Sequence, residues 1–324
     1  MNKLQKYYSN LSVLEHHQKS GFFCKGRGWQ IFFEPNPSSH TLVGEPPEPA
    51  KEIIIYAKSE ERAQYVANLI LAAYCLYTGD LLTDEDRTVF TYRANTTDEI
   101  YEQLMAGGHN GIGVNHLPVS CLIAAKASHR YIHQYAIFKY LLSCRTVPLW
   151  SRSLDPQSEW IPGKAIMMST KEHVFYANAI TQAYSVLEEL SLEIRASTKK
   201  PSMINGKWNP EIKQELEERL IAAGIDLSEK LIWNLRDTPT RIERERKPTS
   251  LRKTEWSTYK VRDMYVNIID AIANTSWLRS TVSAHRLSHL AKSLTIYDVA
   301  NVQHLARRLL LETLGFWRYY QKVK

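Results

Sequence analysis

The sequence predicts a mainly α-helical protein, with an N-terminal α+β domain over residues 1–150 and a C-terminal up-and-down helical bundle over residues 151–324. Three observations lead to this prediction. The chain has 324 residues, which at about 150 residues per domain suits two domains. Strand-like segments occur only early in the chain, whereas apolar residues at helical spacing dominate later. Residues 145–165 contain three prolines and little periodicity, so the domain boundary is placed there.

The first half is predicted to contain two short strands followed by helices. Residues 27–34 and 51–57 are apolar runs of strand length, separated by a segment rich in proline, serine and glycine. Ser59 suits a helix N-cap, and two glutamates follow it in the first turn. Apolar residues then recur on one face as far as Gly79, which suits a helix end. Residues 117–142 predict one or two further helices.

The second half is predicted to be a bundle of helices, with a polar and basic stretch over residues 236–255. A long helix spans residues 172–195. An Asn-Pro pair caps the next helix, over residues 209–224, and a short helix follows over residues 228–235. Apolar residues at helical spacing predict another helix over residues 261–278. The last helix follows the Thr-Ile-Tyr-Asp sequence at residues 295–298.

Composition excludes several classes of protein. Hydrophobic residues make up 44% and charged residues 23% of the chain, which excludes wholesale disorder and collagen-like repeats. The longest apolar runs are far shorter than a membrane span, and residues 1–19 lack the apolar segment of a secretory signal. We therefore expect a cytoplasmic protein without a membrane partner. Four scattered cysteines are expected to be buried free thiols: Cys24, Cys75, Cys121 and Cys144.

Positive charge is concentrated in one segment of the second half. Nine lysines and arginines and four acidic residues lie between Arg236 and Arg262, which accounts for +5 of the formal charge of +7. Such an excess suits the phosphate backbone of RNA, although a solvated loop with internal Glu–Arg pairs would have the same composition. The cations assigned to RNA contact are Arg241, Arg244, Arg246, Lys247, Arg252 and Lys253.

The arginine and histidine of the sequence Arg279-Ser-Thr-Val-Ser-Ala-His285 are the candidate catalytic residues. Six residues on a continuous α-helix rotate by about 600°, which leaves the two side chains about 120° apart. They would converge if the helix breaks at residues 280–283, or if two copies of the chain face each other in a dimer. A histidine can shuttle a proton near neutral pH, and a guanidinium can hold a phosphate. This pair therefore suits cleavage of RNA by its own 2′-hydroxyl, without a metal or cofactor.

Residues 165–320 resemble the HEPN family (the higher-eukaryote and prokaryote nucleotide-binding helical bundle). The resemblance consists of a long first helix, the R-x4–6-H motif formed by Arg279 and His285, and the Ala-Arg-Arg-Leu-Leu-Leu sequence at residues 306–311 in the closing helix. It implies a metal-independent endoribonuclease, a toxin or phage-defence effector, in which Arg279 binds phosphate and takes part in catalysis and His285 is the general acid or base.

The same resemblance implies a homodimer formed through the bundle and, for a toxin, an antitoxin or regulatory protein as partner. Arg286, which follows the histidine, is counted with the RNA-binding cations. Ser280 and Arg286 differ from the residues that active members often carry at these positions. They favour an alternative, a catalytically inactive HEPN-like module that binds RNA or a protein partner.

Several other motifs suggest weaker hypotheses. The HxxxH pairs His129/His133 and His285/His289 could share a metal on one face of a helix, and together with acidic residues 84–86 they define a third hypothesis, a metal-dependent hydrolase. Solvated or capping histidines are the default interpretation, so no metal site is assigned. The glycine cluster at residues 107–113 is interpreted as a flexible loop. For residues 1–150 we predict a sensor or substrate-positioning role.

Overall fold

The structure, a computed structural model of the chain, describes residues 4–13, 21–33, 52–79, 81, 89–94, 99, 110–112, 116–147, 170–205, 207–236, 252–253, 260–283 and 294–318. It combines helices with mostly antiparallel sheets, a mixed α+β architecture. The chain divides into two compact units, residues 1–134 and 135–324. This division falls inside a helix and not at the predicted boundary after residue 150. The predicted boundary relied on prolines, which indicate where secondary structure breaks. A boundary between two hydrophobic cores can instead fall within one helix, and proline positions do not reveal it.

The helices in the described ranges are α1 (Glu60–Thr78), α2 (Leu117–Ala127), α3 (Tyr131–Thr146), α4 (Thr170–Glu189), α5 (Pro210–Ala222), α6 (Ile268–Trp277) and α7 (Ile296–Leu314). A π-helical segment, Leu278–Ser283, follows α6 directly. The strands are β1 (Gln5–Val13), β2 (Phe22–Gly26), β3 (Trp29–Phe33), β4 (Glu52–Ala57), β5 (Thr91–Tyr92), β6 (Asn110–Ile112), β7 (Met203–Ile204), β8 (Lys207–Trp208), β9 (Leu231–Arg236), β10 (Arg252–Lys253) and β11 (Lys260–Val266).

The first unit is built on a sheet with strand order β2-β3-β4-β1-β5, and β6 pairs with β1 in parallel. Alternate residues of the central strands are buried, as in Trp29, Ile31 and Phe33 of β3. Helix α1 packs on this sheet, and α2 packs against α1 and the edge strand β2. The first unit therefore contains more strands than the two that the sequence predicted. Part of the glycine cluster that was predicted to be a flexible loop forms β6.

The second unit surrounds α7, whose residues are buried on almost every side. Helix α4 packs against α7 and against the π-helical segment, and α6 contacts both α4 and α7. Polar residues can lie inside this helix because they form hydrogen bonds. The Asn301 side chain donates to the backbone carbonyl of Asn234 in β9 at 2.7 Å and accepts from the backbone N–H of Asn234 at 3.0 Å. Gln303 donates to Ser143 of α3 at 2.6 Å.

Two of the helices that the sequence predicts in the second half are wholly or partly strands instead. Residues 231–236 form β9, and residues 260–266 form β11 before α6 begins. With β10 they make a three-stranded antiparallel sheet of order β10-β11-β9, and β7 and β8 form a separate hairpin. Met264 and Val266 of β11 are buried while Tyr265 between them is exposed, which is the period-two pattern of a strand. The long helix predicted over residues 172–195 ends earlier, at Glu189.

Local capping predictions are confirmed. Ser59 accepts a hydrogen bond from the backbone N–H of Arg62, and Gly79 ends α1 in the left-handed conformation. Asn209 caps α5 with Pro210 in its first turn. Thr295 and Asp298 form a reciprocal capping box at the start of α7. All four cysteines are buried, and none of them is in a disulfide. Within the described ranges, no helix combines the length and apolarity needed to cross a bilayer.

Candidate functional site

Arg279 lies on the π-helical segment that extends α6. A helix break at residues 280–283 was one predicted way to bring Arg279 and His285 together. The chain instead remains helical through Ser283, in the wider i→i+5 pattern. The rotation of 100° per residue that holds for an α-helix does not apply across such a turn. Single π-helical turns within helices are frequent at functional sites.

The guanidinium of Arg279 is held between two side chains of α4. Its Nη2 lies 3.4 Å from Glu188 Oε1, and the two side chains are 42% and 40% exposed. Its Cζ lies 5.6 Å from the centre of the Tyr184 ring, a cation–π arrangement. The ring is buried, and the half-exposed guanidinium packs over it. Arg279 is therefore oriented by α4 while part of it remains open to solvent.

Other charged groups surround the Tyr184 hydroxyl. Burial is the main effect on the pKa of Tyr184 and raises it. A hydrogen bond with Ser276 and the charge of Arg279 lower this pKa in part. Glu193 lies close enough to raise that pKa further. Arg219 of α5 donates to the backbone carbonyls of Ser191 and Glu193, the latter at 2.9 Å. Burial, followed by the nearby charge of Arg195, lowers the pKa of Arg219.

This arrangement can bind a phosphate if one weak contact is exchanged. An ion pair between half-exposed side chains contributes about 0–1 kcal/mol, so displacing Glu188 from Arg279 costs little. A guanidinium offers five N–H donors and matches two phosphate oxygens at once. The formal charge of the unit also suits an anionic ligand, because residues 135–324 contain 29 lysines and arginines against 20 acidic residues. Arg279 is thus a chemically reasonable phosphate ligand.

Most other predicted site residues lie outside the described ranges: His285, Arg286, Arg241, Arg244, Arg246 and Lys247. Arg252 and Lys253 form β10, where they pair with Val261 and Lys260 of β11. The basic segment therefore ends in a sheet and is not a loop along its whole length. The structure brings Arg279 together with Tyr184 and Glu188.

The metal-binding hypothesis gains no support from the described residues. His129 lies in the turn before α3 and His133 in the first turn of that helix, so the pair is not on one continuous helix as expected. No three His, Cys, Asp or Glu side chains of the described ranges cluster as a metal site would require. Residues 84–86, His285 and His289 are outside those ranges.

Sequence reasoning missed the residues that orient Arg279. Tyr184 and Glu188 belong to the predicted long amphipathic helix, for which the sequence indicates no functional role. Their spacing of four residues places them on one face of α4, but nothing local identifies the arginine that this face meets. Comparisons with protein-family models, curated proteins and solved structures find no match to this chain. The case for a function therefore depends on the chemistry of the residues themselves.

Proposed function

We propose that residues 135–324 act as a metal-independent, HEPN-like endoribonuclease that cleaves RNA through the RNA's own 2′-hydroxyl. Arg279 binds the scissile phosphate, and His285 serves as general acid or base. The observation that carries the proposal is the half-exposed guanidinium of Arg279, oriented on a π-helical turn by Glu188 and the Tyr184 ring. The positive excess of this unit adds support, because a polyanionic substrate is attracted to it.

The reaction needs no atom from a cofactor. The 2′-oxygen attacks the adjacent phosphorus, and its proton passes to a base. The bond from phosphorus to the 5′-oxygen breaks, and that oxygen takes a proton from an acid. The products are a 2′,3′-cyclic phosphate and a 5′-hydroxyl end. The imidazole of His285 can perform either proton transfer near neutral pH. The guanidinium offsets the charge that accumulates on the phosphate oxygens in the transition state.

Arg279→Gln and His285→Ala test the two roles. Total RNA is incubated with each full-length variant, with and without EDTA, and the cut sites and their end groups are mapped. Loss of one preorganised donor to a transition state costs about 100- to 1,000-fold in rate, and loss of a general acid or base about 100- to 10,000-fold. Arg195→Gln is the matched control, because Arg195 is also a half-exposed arginine, paired with Glu193 at 2.9 Å.

Glu188→Gln adds a directional test. Removing the carboxylate frees the guanidinium, so RNA affinity is expected to rise while it falls in Arg279→Gln. Circular dichroism of each variant shows that the fold is kept. Cleavage that persists unchanged in both Arg279→Gln and His285→Ala, or that disappears with EDTA, contradicts the mechanism.

The second candidate is a catalytically inactive module that binds RNA or a protein partner. The Arg279–Glu188 ion pair favours it, because the guanidinium already has an anionic partner within the chain. Ser280 and Arg286 favour it as well. It predicts RNA binding with no cyclic phosphate product in the experiment above. His285-dependent product would exclude it.

A role as a toxin or phage-defence effector follows from the proposed activity and the family resemblance. An RNA-cleaving toxin arrests growth when it is expressed without an antitoxin, so expression of the wild-type chain is expected to stop growth and expression of His285→Ala is not. The homodimer is tested by the molar mass in light scattering. Equal growth in the two cultures would remove the toxin role while leaving the enzymatic proposal intact.

A further inference from the structure

A second cationic surface lies in the first unit, far along the chain from Arg279. Three segments meet there: the turn between β2 and β3, the start of α1, and the turn between α2 and α3. We call it the basic surface and define it by Lys25, Arg27, Lys58, Arg62, Lys126 and Arg130. All of these side chains are exposed except that of Arg62, which is half-buried.

Hydrogen bonds hold the three segments together. The backbone N–H of Arg27 donates to Ser128 Oγ at 2.8 Å, which joins the β2–β3 turn to the α2–α3 turn. Arg62 Nη2 donates to the backbone carbonyl of Arg27 at 2.9 Å, which adds the start of α1. The Arg62 guanidinium also lies 5.1 Å from the centre of the Tyr65 ring. The cations therefore occupy a built surface and are not scattered on independent loops.

Charge is strongly segregated in this unit. Residues 1–134 contain 12 lysines and arginines and 14 acidic residues, so the unit has a small negative net charge, yet half of its cations lie on the basic surface. The acidic residues of the same segments are Glu60 and Glu61, in the first turn of α1. Within the described part of the chain, no ion pair engages the cations of the basic surface.

Burial and the positive charge of the basic surface both lower the pKa of a neighbouring histidine. His133 lies in the first turn of α3, and burial lowers its pKa. The charges of Arg130 and then Lys126 lower the pKa further, since each opposes a second positive charge nearby. Excess positive charge that no ion pair within the described residues neutralises suits an anionic partner.

Aromatic rings accompany the cations. Tyr131 follows Arg130 directly and is 75% exposed, the most exposed large apolar side chain among the described residues. Phe23 precedes Lys25 by two residues on β2, so the two side chains lie on the same side of the strand, and Phe23 is 58% exposed. Exposed rings interleaved with cations are how proteins bind single strands, because bases stack on the rings while cations contact the phosphates.

We propose that the basic surface binds single-stranded nucleic acid. This proposal is independent of whether residues 135–324 cleave RNA. An acidic protein segment would match the cations but would leave Tyr131 and Phe23 without a stacking partner, so we favour the nucleic acid. In a double helix the bases are already stacked on one another, so a duplex would lose the contribution of the rings.

The test uses full-length protein and a fluorescent 2′-O-methyl oligouridine of about 12 nucleotides, which lacks the free 2′-hydroxyl needed for self-cleavage. Affinity is measured by fluorescence anisotropy over a range of salt concentrations. The double variant Lys126→Gln/Arg130→Gln removes two exposed cations, and its matched control is Lys207→Gln/Lys230→Gln, which removes two exposed cations of the other unit. Tyr131→Ala is matched by Tyr265→Ala, since Tyr265 is also exposed.

The double variant is expected to lower the slope of log affinity against log salt by about 1.4, or about 0.7 for each phosphate that the protein no longer neutralises. Tyr131→Ala is expected to weaken binding at least about fivefold, because the ring can no longer stack on a base. Both controls should bind like the wild type. The proposal is overturned if the variants of the basic surface bind like their controls, if a duplex of the same length binds equally well, or if polyglutamate competes as effectively as unlabelled oligonucleotide, which would indicate an acidic protein partner.

Discussion

Arg308 of α7 is a buried charge whose removal should destabilise the second unit strongly. Its side chain is 1% exposed, and its Nη2 lies 2.7 Å from Glu229 and 3.2 Å from Glu312. Nη2 also donates to the backbone carbonyl of Asp226 at 3.2 Å, and the guanidinium lies 5.4 Å from the centre of the Trp317 ring. Replacing Arg308 with methionine keeps much of the volume and removes all of these polar contacts.

The main cost of Arg308→Met is the carboxylate that stays behind. The side chain of Glu312 is only 5% exposed, whereas that of Glu229 is 38% exposed and can be solvated. Removing one partner of a buried ion pair costs about 3–5 kcal/mol. For a unit of this size each kcal/mol lowers Tm by about 2–4 °C, so we expect a decrease of about 6–20 °C.

The loss should depend on pH in a defined direction. Burial raises the pKa of Glu312, and the charge of Arg308 opposes that rise. Without Arg308 the pKa of Glu312 rises further above its unfolded value. The folded variant then holds a proton that the unfolded chain releases, so its stability falls as pH increases through this range. Arg308→Met is therefore expected to be least harmful in acid.

Differential scanning calorimetry of the full chain measures these effects. The double variant Arg308→Met/Glu312→Gln removes the stranded charge and should recover most of the decrease in Tm. Lys213→Met is the control, because Lys213 forms a solvent-exposed pair with Glu217 at 3.5 Å, which should contribute little. The reasoning is refuted if Arg308→Met lowers Tm no more than Lys213→Met, or if the glutamine gives no recovery.

Two further predictions concern other buried groups. Burial raises the pKa of Asp298 to about 6, although the hydrogen bonds from Thr295 act in the opposite direction. The free energy of unfolding should therefore fall as pH rises from about 4 to 6 and remain constant at higher pH. Urea titrations should show a flatter pH dependence in Asp298→Asn, and an unchanged dependence would contradict the assignment. Burial also raises the pKa of Cys24 and Cys121, and all four thiols are buried. Maleimide should therefore label the native protein slowly and label all four sites in urea by mass spectrometry, and rapid native labelling would show that the thiols are accessible.

Predictions from the sequence succeeded where the determining interactions are local. A cap such as Ser59 or Asn209 involves residues within one turn, so residue type and spacing are sufficient. The sequence-based predictions failed for β9 and β11, because a short apolar run has the same composition in a helix and in a strand. Its state is decided by pairing, here Trp233 opposite Met264 across the two strands.

Residue type and local spacing were enough to predict the buried cysteines and the capped starts of α1 and α5. Only the folded chain shows that Glu188 and Tyr184 orient Arg279, and that Arg27, Arg62 and Ser128 share one surface. Charge and capping preference belong to a residue and its neighbours along the chain. The field and the contacts at a site, in contrast, come from side chains that folding gathers from distant parts of the sequence.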